Sequence, residues 1–232
     1  MGGMYPPFGG VGLYGPYGSV SLYGSIVTYG SLNLTESSPP QSFTEPLDLL
    51  EVKTFLHFTA GDNDRNDEIS SMITAAREQA EILQGRDLVR KQWDLSMDYW
   101  NAYRVELRDP LVSVDLVQFT NSDGVVTQMH EGADYLVDRA KHPGVLVPPY
   151  NSTWPIYTPR PSSSLLFRFT SGFASDSAWW SDSGARIKMG MKQLISLWFT
   201  ERLPVVKGPG AMEEYPFMIT SNLSYGALGR AK

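Results

Sequence analysis

Hydrophobic residues recur at helical spacing in three parts of the chain. After Asp48, which opens a capping-box-like Asp-Leu-Leu-Glu sequence, the apolar spacing predicts a helix over residues 48–58. A longer apolar stripe predicts a second helix over residues 65–84, and Gly85 stands where a glycine commonly ends a helix. The last stripe predicts an amphipathic helix over residues 185–202.

Between the second and third helices the apolar spacing changes from helical to alternating. Residues 88–170 contain short runs of alternating apolar and polar positions, separated by turn sequences such as Asp109-Pro110 and Asp123-Gly124. These runs predict an antiparallel β insert. The predicted fold class is therefore α+β: a small helical unit of two N-terminal helices and a C-terminal amphipathic helix, with an antiparallel β insert and extended terminal arms.

The two ends of the chain lack both patterns. Residues 1–46 hold nine of the 21 glycines and six of the 16 prolines, but only two charged residues. Because glycine loses much entropy on ordering, this segment cannot build a core of its own. It is either a disordered tail or an arm that orders when its tyrosines pack on a partner. Residues 203–232 also show little periodicity, so the predicted organisation is an N-terminal arm (1–46), a core (47–202) and a C-terminal arm (203–232).

Composition narrows the chemistry that the chain can carry. Its 19 Lys or Arg and 25 Asp or Glu residues give a formal net charge of −6, which argues against tight binding of duplex DNA. The chain has no cysteine, which excludes disulfide frameworks, cysteine nucleophiles and iron–sulfur centres. Its three histidines are scattered, so neither a metal nor a cofactor is expected. No stretch predicts a signal peptide or a membrane span, so we expect synthesis in the cytoplasm.

Two motifs that suggest ligand binding fail on their context. Residues 10–15 match the dinucleotide pattern G-x-G-x-x-G, but no strand precedes them and no helix follows. Asp62, Asp64 and Asn66 imitate the first ligands of a calcium loop, whereas Asp67 stands where that loop needs glycine. We expect these residues to cap the helix that follows them.

The tandem Trp179-Trp180 allows two interpretations. It is either a platform that stacks a sugar or a base, or a hydrophobic knuckle in a loop that only a partner buries, and we favour the knuckle. No serine lies in a G-x-S-x-G sequence. An enzyme would therefore need two carboxylates that converge in a pocket, which no spacing in the sequence indicates.

The order of the segments carries more information than any one of them. It resembles the head–tail connector (adaptor) proteins of tailed bacteriophages and gene transfer agents over about residues 45–203. The segments that carry the resemblance, in chain order, are Glu45-Pro46-Leu47-Asp48, Ile73-Thr74-Ala75-Ala76-Arg77-Glu78, Leu83-Gln84-Gly85-Arg86, Gln92-Trp93-Asp94-Leu95, Leu111-Val112-Ser113-Val114, Asp134-Tyr135-Leu136-Val137-Asp138, Pro143-Gly144-Val145, Phe169-Thr170-Ser171-Gly172-Phe173 and Leu197-Trp198-Phe199-Thr200-Glu201-Arg202. The Gly/Tyr-rich N-terminal segment has no counterpart in the family pattern.

The resemblance implies a structural protein of the virion neck, assembled in the host cytoplasm, without catalytic or cofactor-binding residues. It implies a dodecameric ring under the portal protein, joined to a stopper or tail protein, through which genomic DNA passes without sequence-specific binding. An acidic protein suits such a conduit, because a lumen that repels phosphate lets DNA slide. We expect the two arms to bind partners through their aromatic residues, which are Tyr5, Tyr14, Tyr17, Tyr23, Tyr29, Tyr215, Phe217 and Tyr225.

Two alternatives to the adaptor come from other classes. A stand-alone interaction or surface-adhesion module would use the Tyr/Gly-rich tail and behave as a stable monomer. An enzyme would be built around a pair of acidic residues. The adaptor hypothesis predicts that deleting residues 1–35 leaves the core folded but weakens assembly.

Overall fold

The computed structural model describes residues 19–20, 33–37, 44–59, 61–100, 103–201 and 217–227. The strands are β1 (Ser19–Val20), β2 (Asn33–Glu36), β3 (Lys91–Met97), β4 (Arg104–Glu106), β5 (Leu111–Thr120), β6 (Val126–Met129), β7 (Leu136–Asp138), β8 (Val145–Val147) and β9 (Leu165–Ser171). The helices are α1 (Leu49–Phe55), α2 (Asn66–Gln84), α3 (Ser183–Glu201) and α4 (Phe217–Leu223), with a 3-10 turn at Ala178–Trp180. The α+β class predicted from the sequence is confirmed.

The three predicted helices form where their caps and apolar stripes place them. The carboxylate of Asp48 accepts a hydrogen bond of 3.0 Å from the backbone N–H of Leu50, which satisfies a free donor at the start of α1. Gly85 adopts a left-handed conformation (φ 68°) and ends α2, as predicted. In α3, Ile187, Met191, Leu194 and Ile195 are buried along one face.

The start of α2 differs from the sequence expectation. Its first flanking residue is Arg65, and no side chain caps the helix there. Asn66 instead accepts a hydrogen bond of 3.1 Å from the Lys53 ammonium and donates one to Asn63. Of the residues that imitate a calcium loop, Asn66 therefore binds Lys53 at the end of α1, and the cap expected at the start of α2 does not form. Within the described residues, no group of three acidic or histidine side chains is placed to hold a metal ion.

Five strands form an antiparallel sheet in the order β2-β3-β9-β5-β6. The long strand β9 lies between β3 and β5, with Phe169 opposite both Trp93 and Val114. Phe167 and Phe169 are fully buried in the core of this β unit. The alternating pattern of residues 88–170 thus predicts the sheet correctly. Strand β2, from the predicted N-terminal arm, adds an edge that the sequence pattern did not reveal.

A second sheet has the order β1-β4-β8-β7. Strands β4, β8 and β7 are antiparallel, whereas the two residues of β1 run parallel to β4, with Ser19 opposite Arg104 and Val20 opposite Val105. Ser19 therefore lies at the end of β4 that follows Tyr103.

The helices form a separate hydrophobic core. It contains the buried faces of α1, α2 and α3 together with Trp180, and two buried residues of α4, Ile219 and Leu223. Residues 203–232 show little periodicity in the sequence, whereas Phe217–Leu223 forms a helix that packs on α3. Unlike α1, which also has seven residues, it is not preceded by a capping-box sequence that would mark its start.

Two buried carboxylates join the helical core to the sheets. Asp87, which is fully buried, accepts hydrogen bonds from Arg108 on both carboxylate oxygens, at 2.6 Å from Nη2 to Oδ1 and at 2.9 Å from Nε to Oδ2, and also hydrogen bonds from the Trp93 indole and the Ser171 hydroxyl. Since Arg108 follows β4 and Ser171 ends β9, this carboxylate ties both sheets to the segment after α2.

The second carboxylate, Glu81 of α2, lies beside this junction. It accepts hydrogen bonds from Arg77 at 2.9 Å, from Lys91 at 2.7 Å and from the backbone N–H of Leu88 at 3.0 Å. These donors lie within α2, in the segment that follows it and at the start of β3. The buried charges thus hold the two units in a fixed relation, since removing one partner would leave an uncompensated charge in the interior.

Candidate interaction surfaces

An apolar groove lies on the β unit between the end of β3 and the loop from β8 to β9. It has a volume of about 490 Å³. We call it the aromatic groove, and the residues that line it are Tyr99, Trp100, Tyr103, Pro148, Thr153, Trp154, Pro155, Ile156, Tyr157 and Pro159. Grooves of roughly 300–1,000 Å³ with apolar and aromatic walls are the usual form of binding sites.

The base of the groove is a rigid stack of aromatic rings. The rings of Trp100 and Trp154 are parallel (3°) with centroids 4.2 Å apart, and Trp100 also meets the buried Phe167 edge-on at 5.6 Å. The Trp154 indole donates a hydrogen bond of 3.2 Å to the backbone carbonyl of Tyr103. Because Phe167 belongs to the central strand β9, the sheet fixes the position of these rings.

Tyr157 forms the wall that faces β5. Its ring lies 4.4 Å from that of Phe119, and its hydroxyl shares a hydrogen bond of 2.8 Å with Ser164. Burial raises the pKa of Tyr157 above its ordinary value, while the bond to Ser164 opposes the shift. The phenol therefore stays neutral across the physiological range and contributes an uncharged wall.

The rim of the groove exposes large apolar side chains to solvent. Ile156 is 97% exposed, and Tyr150, in the same loop but outside the groove, is 91% exposed. Tyr99 and Tyr103 are also exposed. Clustered aromatic and aliphatic side chains on a surface mark a binding site, because solvated apolar area is stabilised by a partner that covers it.

A second site holds the C-terminal segment against the helical core. The side-chain amide of Gln84 donates hydrogen bonds to the backbone carbonyls of Leu223 and Tyr225, and Arg86 donates to that of Gly226. The Arg186 guanidinium lies 4.2 Å from the centre of the Tyr225 ring. We call these three residues, Gln84, Arg86 and Arg186, the C-terminal clamp.

Packing reinforces the clamp on the face of α3 that meets α4. Gly190 lies directly against α4, where an added Cβ would be 3.0 Å from Asn222 and from Leu223. Asn222 donates a hydrogen bond of 3.0 Å to Gln193. The absence of a side chain at Gly190 therefore lets the two helices approach closely, and the position where the chain leaves α4 is fixed.

The structure tests few of the binding residues predicted from the arms. Tyr5, Tyr14, Tyr17, Tyr23, Tyr29 and Tyr215 lie outside the described residues. Phe217 begins α4, and Tyr225 follows it, 43% exposed and held beneath Arg186. The predicted binding roles of all eight residues remain predictions.

The aromatic groove is the feature that sequence reasoning missed. Its residues come from two stretches that are separated by about fifty positions, and no periodicity connects them. The signal available in the sequence was local, since residues 148–159 contain four prolines beside Tyr150, Trp154 and Tyr157. So many prolines prevent a helix or a sheet, while the large aromatic side chains indicate a surface for contacts.

The tandem Trp179-Trp180 is a structural feature of the chain itself. Trp180 is buried in the helical core, and its indole donates to the carbonyl of Ala174. Trp179 stacks on Phe173 with ring centroids 3.9 Å apart. The interpretation as a knuckle that only a partner buries is wrong for Trp180, because the helices of its own chain already cover it.

Neither a catalytic pair nor a membrane-spanning helix emerges from the described part of the chain. The buried Asp87 and Glu81 carboxylates are held by the donors of the junction, which assigns them a structural role. Among the described helices, none combines the length and the apolar character needed to cross a bilayer.

Comparison with known proteins gives matches in structure only. No protein-family model matches the chain, and no curated protein matches its sequence. A chain in the virion of a native gene transfer agent particle has a TM-score of 0.63 at 16% identity, over 86% of this chain and 97% of its own length.

Two further matches come from particle necks. A chain in the neck of an empty gene transfer agent particle, computed with C6 symmetry, has a TM-score of 0.60 at 16% identity, over 87% of this chain and 97% of its own. A chain in the neck of a native particle, computed with C12 symmetry, has a TM-score of 0.57 at 19% identity, over 86% and 97% of the two chains. The resemblance predicted from the sequence is thus confirmed in the fold, which this chain shares with chains of gene transfer agent necks.

Proposed function

We propose that this chain is a structural protein of a virion neck. In this role it is a head–tail adaptor that forms a dodecameric ring under the portal and joins the DNA-filled head to the stopper or tail. The observation that carries the proposal is the fold shared with neck chains over nearly their whole length, in particles whose necks were computed with C6 and C12 symmetry. A match that leaves out almost none of the other chain supports a common role better than a match to one small motif.

The surfaces of the molecule suit assembly into a ring. A closed ring is built from heterologous contacts, in which one face of a subunit meets a different face of its neighbour. The described part of the chain contains a β unit and a helical unit, each with its own hydrophobic core. Each unit has its own exposed surface, so the β unit of one subunit and the helical unit of the next offer the two different faces that such a contact needs.

The charge of the chain fits a conduit for DNA. With a net charge of −6, a ring of many copies carries a large negative charge, which repels phosphate and disfavours tight binding of the passing genome. In this proposal DNA slides through the ring without sequence-specific contacts. A protein of this kind needs no catalytic residues, and its function lies in its contacts.

Labelling of intact particles tests the location directly. Antibodies raised against the exposed β5–β6 turn (residues 121–125) should place gold label at the junction of head and tail in electron micrographs. Antibodies that have been preadsorbed with the purified chain provide the control. Label over the capsid shell or along the tail, or its absence from purified particles, would overturn the proposal and favour a stand-alone interaction module.

A further inference from the structure

We propose that the aromatic groove is the docking site of the chain's own N-terminal segment, residues 1–18. The inference goes beyond the proposed function, since it concerns how a single copy is folded. The first observation concerns the place where this segment joins the described part of the chain, at Ser19. Ser19 is opposite Arg104 in a parallel pair of strands, and Arg104 directly follows Tyr103, which lines the groove.

The start of β1 lies close to the aromatic groove. Paired strands lie about 4.8 Å apart, so Ser19 itself lies near Tyr103 at the groove's rim. The Trp154 indole of the ring stack is hydrogen-bonded to the Tyr103 carbonyl at 3.2 Å, and five extended residues, the number from Tyr14 to Ser19, span at most roughly 18 Å. A tether this short gives an effective concentration in the millimolar range, which favours docking within one copy over docking between copies.

The chemistry of the segment matches the chemistry of the groove. Residues 1–18 carry no charge and contain three tyrosines, one phenylalanine and three prolines. The groove offers parallel indole rings and prolines, surfaces on which tyrosine and proline pack with little loss of side-chain entropy. An uncharged segment also enters such a groove without the cost of desolvating a charge.

An unpaired donor at the groove supports the same occupant. The indole Nε1 of Trp100 is buried and has no hydrogen-bond partner among the described residues. A buried donor without an acceptor is costly, and native proteins almost always satisfy it. A backbone carbonyl or tyrosine hydroxyl from a docked segment supplies the missing acceptor.

Disulfide trapping tests the proposal in the full-length chain, which has no native cysteine. The test variant combines Gly15→Cys with Thr153→Cys, which is exposed in the groove. The control combines Gly15→Cys with Ser70→Cys, which is exposed on α2 in the helical unit. Under mild oxidation the groove pair should close at least about ten times faster than the control pair, as expected for docking at high effective concentration. The product should run as a monomer in non-reducing electrophoresis.

Matched groove variants separate specific docking from general stickiness. Ile156→Asp should slow the trapping about ten-fold, because it places a charge in the groove at a position that contributes no burial to the fold. Tyr150→Asp, equally exposed in the same loop but outside the groove, should leave the rate unchanged. Near-ultraviolet circular dichroism of each variant confirms that the fold is intact.

Three outcomes would overturn the proposal. Equal rates for the groove pair and the control pair would show that the segment does not prefer the groove. A covalent dimer as the main product would assign the groove to the segment of a second copy. An equal slowing by Ile156→Asp and Tyr150→Asp would show that the effect comes from loop charge and not from the groove.

Discussion

The described C-terminal segment should detach from the helical core when one side chain is shortened. Leu223 of α4 is fully buried against α3, and its carbonyl accepts a hydrogen bond from Gln84. A Leu→Ala change in a core costs about 2–5 kcal/mol from lost burial and from the cavity that remains. A helix of seven residues has little stability of its own, so this cost falls on the docking of α4.

Hydrogen exchange measured by mass spectrometry reports the docking of α4 separately from the stability of the other elements. Since about 1.4 kcal/mol corresponds to a factor of ten, Leu223→Ala should speed amide exchange in residues 217–227 by roughly 30-fold to 4,000-fold. Exchange in the middle of α2 and in β9 should stay unchanged, because the contacts of α4 are mainly with α3.

A second variant reaches the same contact from the other side. Gly190→Val on α3 adds atoms 3.0 Å from Leu223 and should also release α4, without lowering the helix propensity of α3. Met189→Ala, at the neighbouring exposed position, is the matched control and should leave exchange unchanged. The reasoning is refuted if α4 keeps its protection in both variants, or if β9 loses protection together with α4.

Three further predictions concern the rest of the fold. Asp87→Asn should lower the free energy of unfolding by about 3 kcal/mol in urea titrations, because it leaves the Arg108 guanidinium buried without its carboxylate; an unchanged urea midpoint would contradict this. Gly172→Ala should prevent folding or sharply lower the melting temperature, since Gly172 has a φ of 105° and an added Cβ would lie 1.9 Å from a backbone oxygen; a soluble variant with the parent's melting temperature would contradict this. The hydrogen bond from Arg139 lowers the pKa of Glu131 below its ordinary value. Their exposed ion pair should therefore contribute at most about 1 kcal/mol of stability at neutral pH. This contribution should be lost as the pH falls through the pKa of Glu131 in the folded protein. The difference in urea midpoint between the parent and Glu131→Gln should therefore vanish at low pH. A difference that stays constant at all pH values would contradict a stabilising role of this ion pair.

The elements that the sequence predicts are those whose information is local. Each of the three predicted helices has an apolar stripe, and two of them also have a terminal signal, Asp48 and Gly85, that acts within one or two turns. The central strands show alternation because one face packs on the β core. In these cases a window of about ten to twenty residues contains the cause of the structure.

The missed features depend on residues that are distant in sequence. Strand β2 forms because it pairs with β3, sixty positions away, and α4 forms because Gln84 and Gly190 receive it. In the aromatic groove, Trp100 stacks on Trp154 because the pairing of strands in the two sheets brings these distant positions together. None of these pairings leaves a period or a spacing in the sequence, so only the folded chain displays them.

The edge strand also refines how the N-terminal segment should be tested. Deleting residues 1–35 removes most of β2 and its ladder with β3, together with the segment that precedes Ser19. A deletion of residues 1–18 removes the groove's proposed occupant and leaves β2 intact. The shorter deletion therefore tests the role of the N-terminal segment in assembly without removing a strand of either sheet.

Native mass spectrometry of the chain mixed with the portal protein from its own particle tests the central claim most directly. The adaptor role predicts a complex with about twelve copies of the chain on each portal ring, formed on the portal even if the free chain is a monomer. A portal ring that binds no copies of the chain, at concentrations where both proteins are folded, would contradict the account.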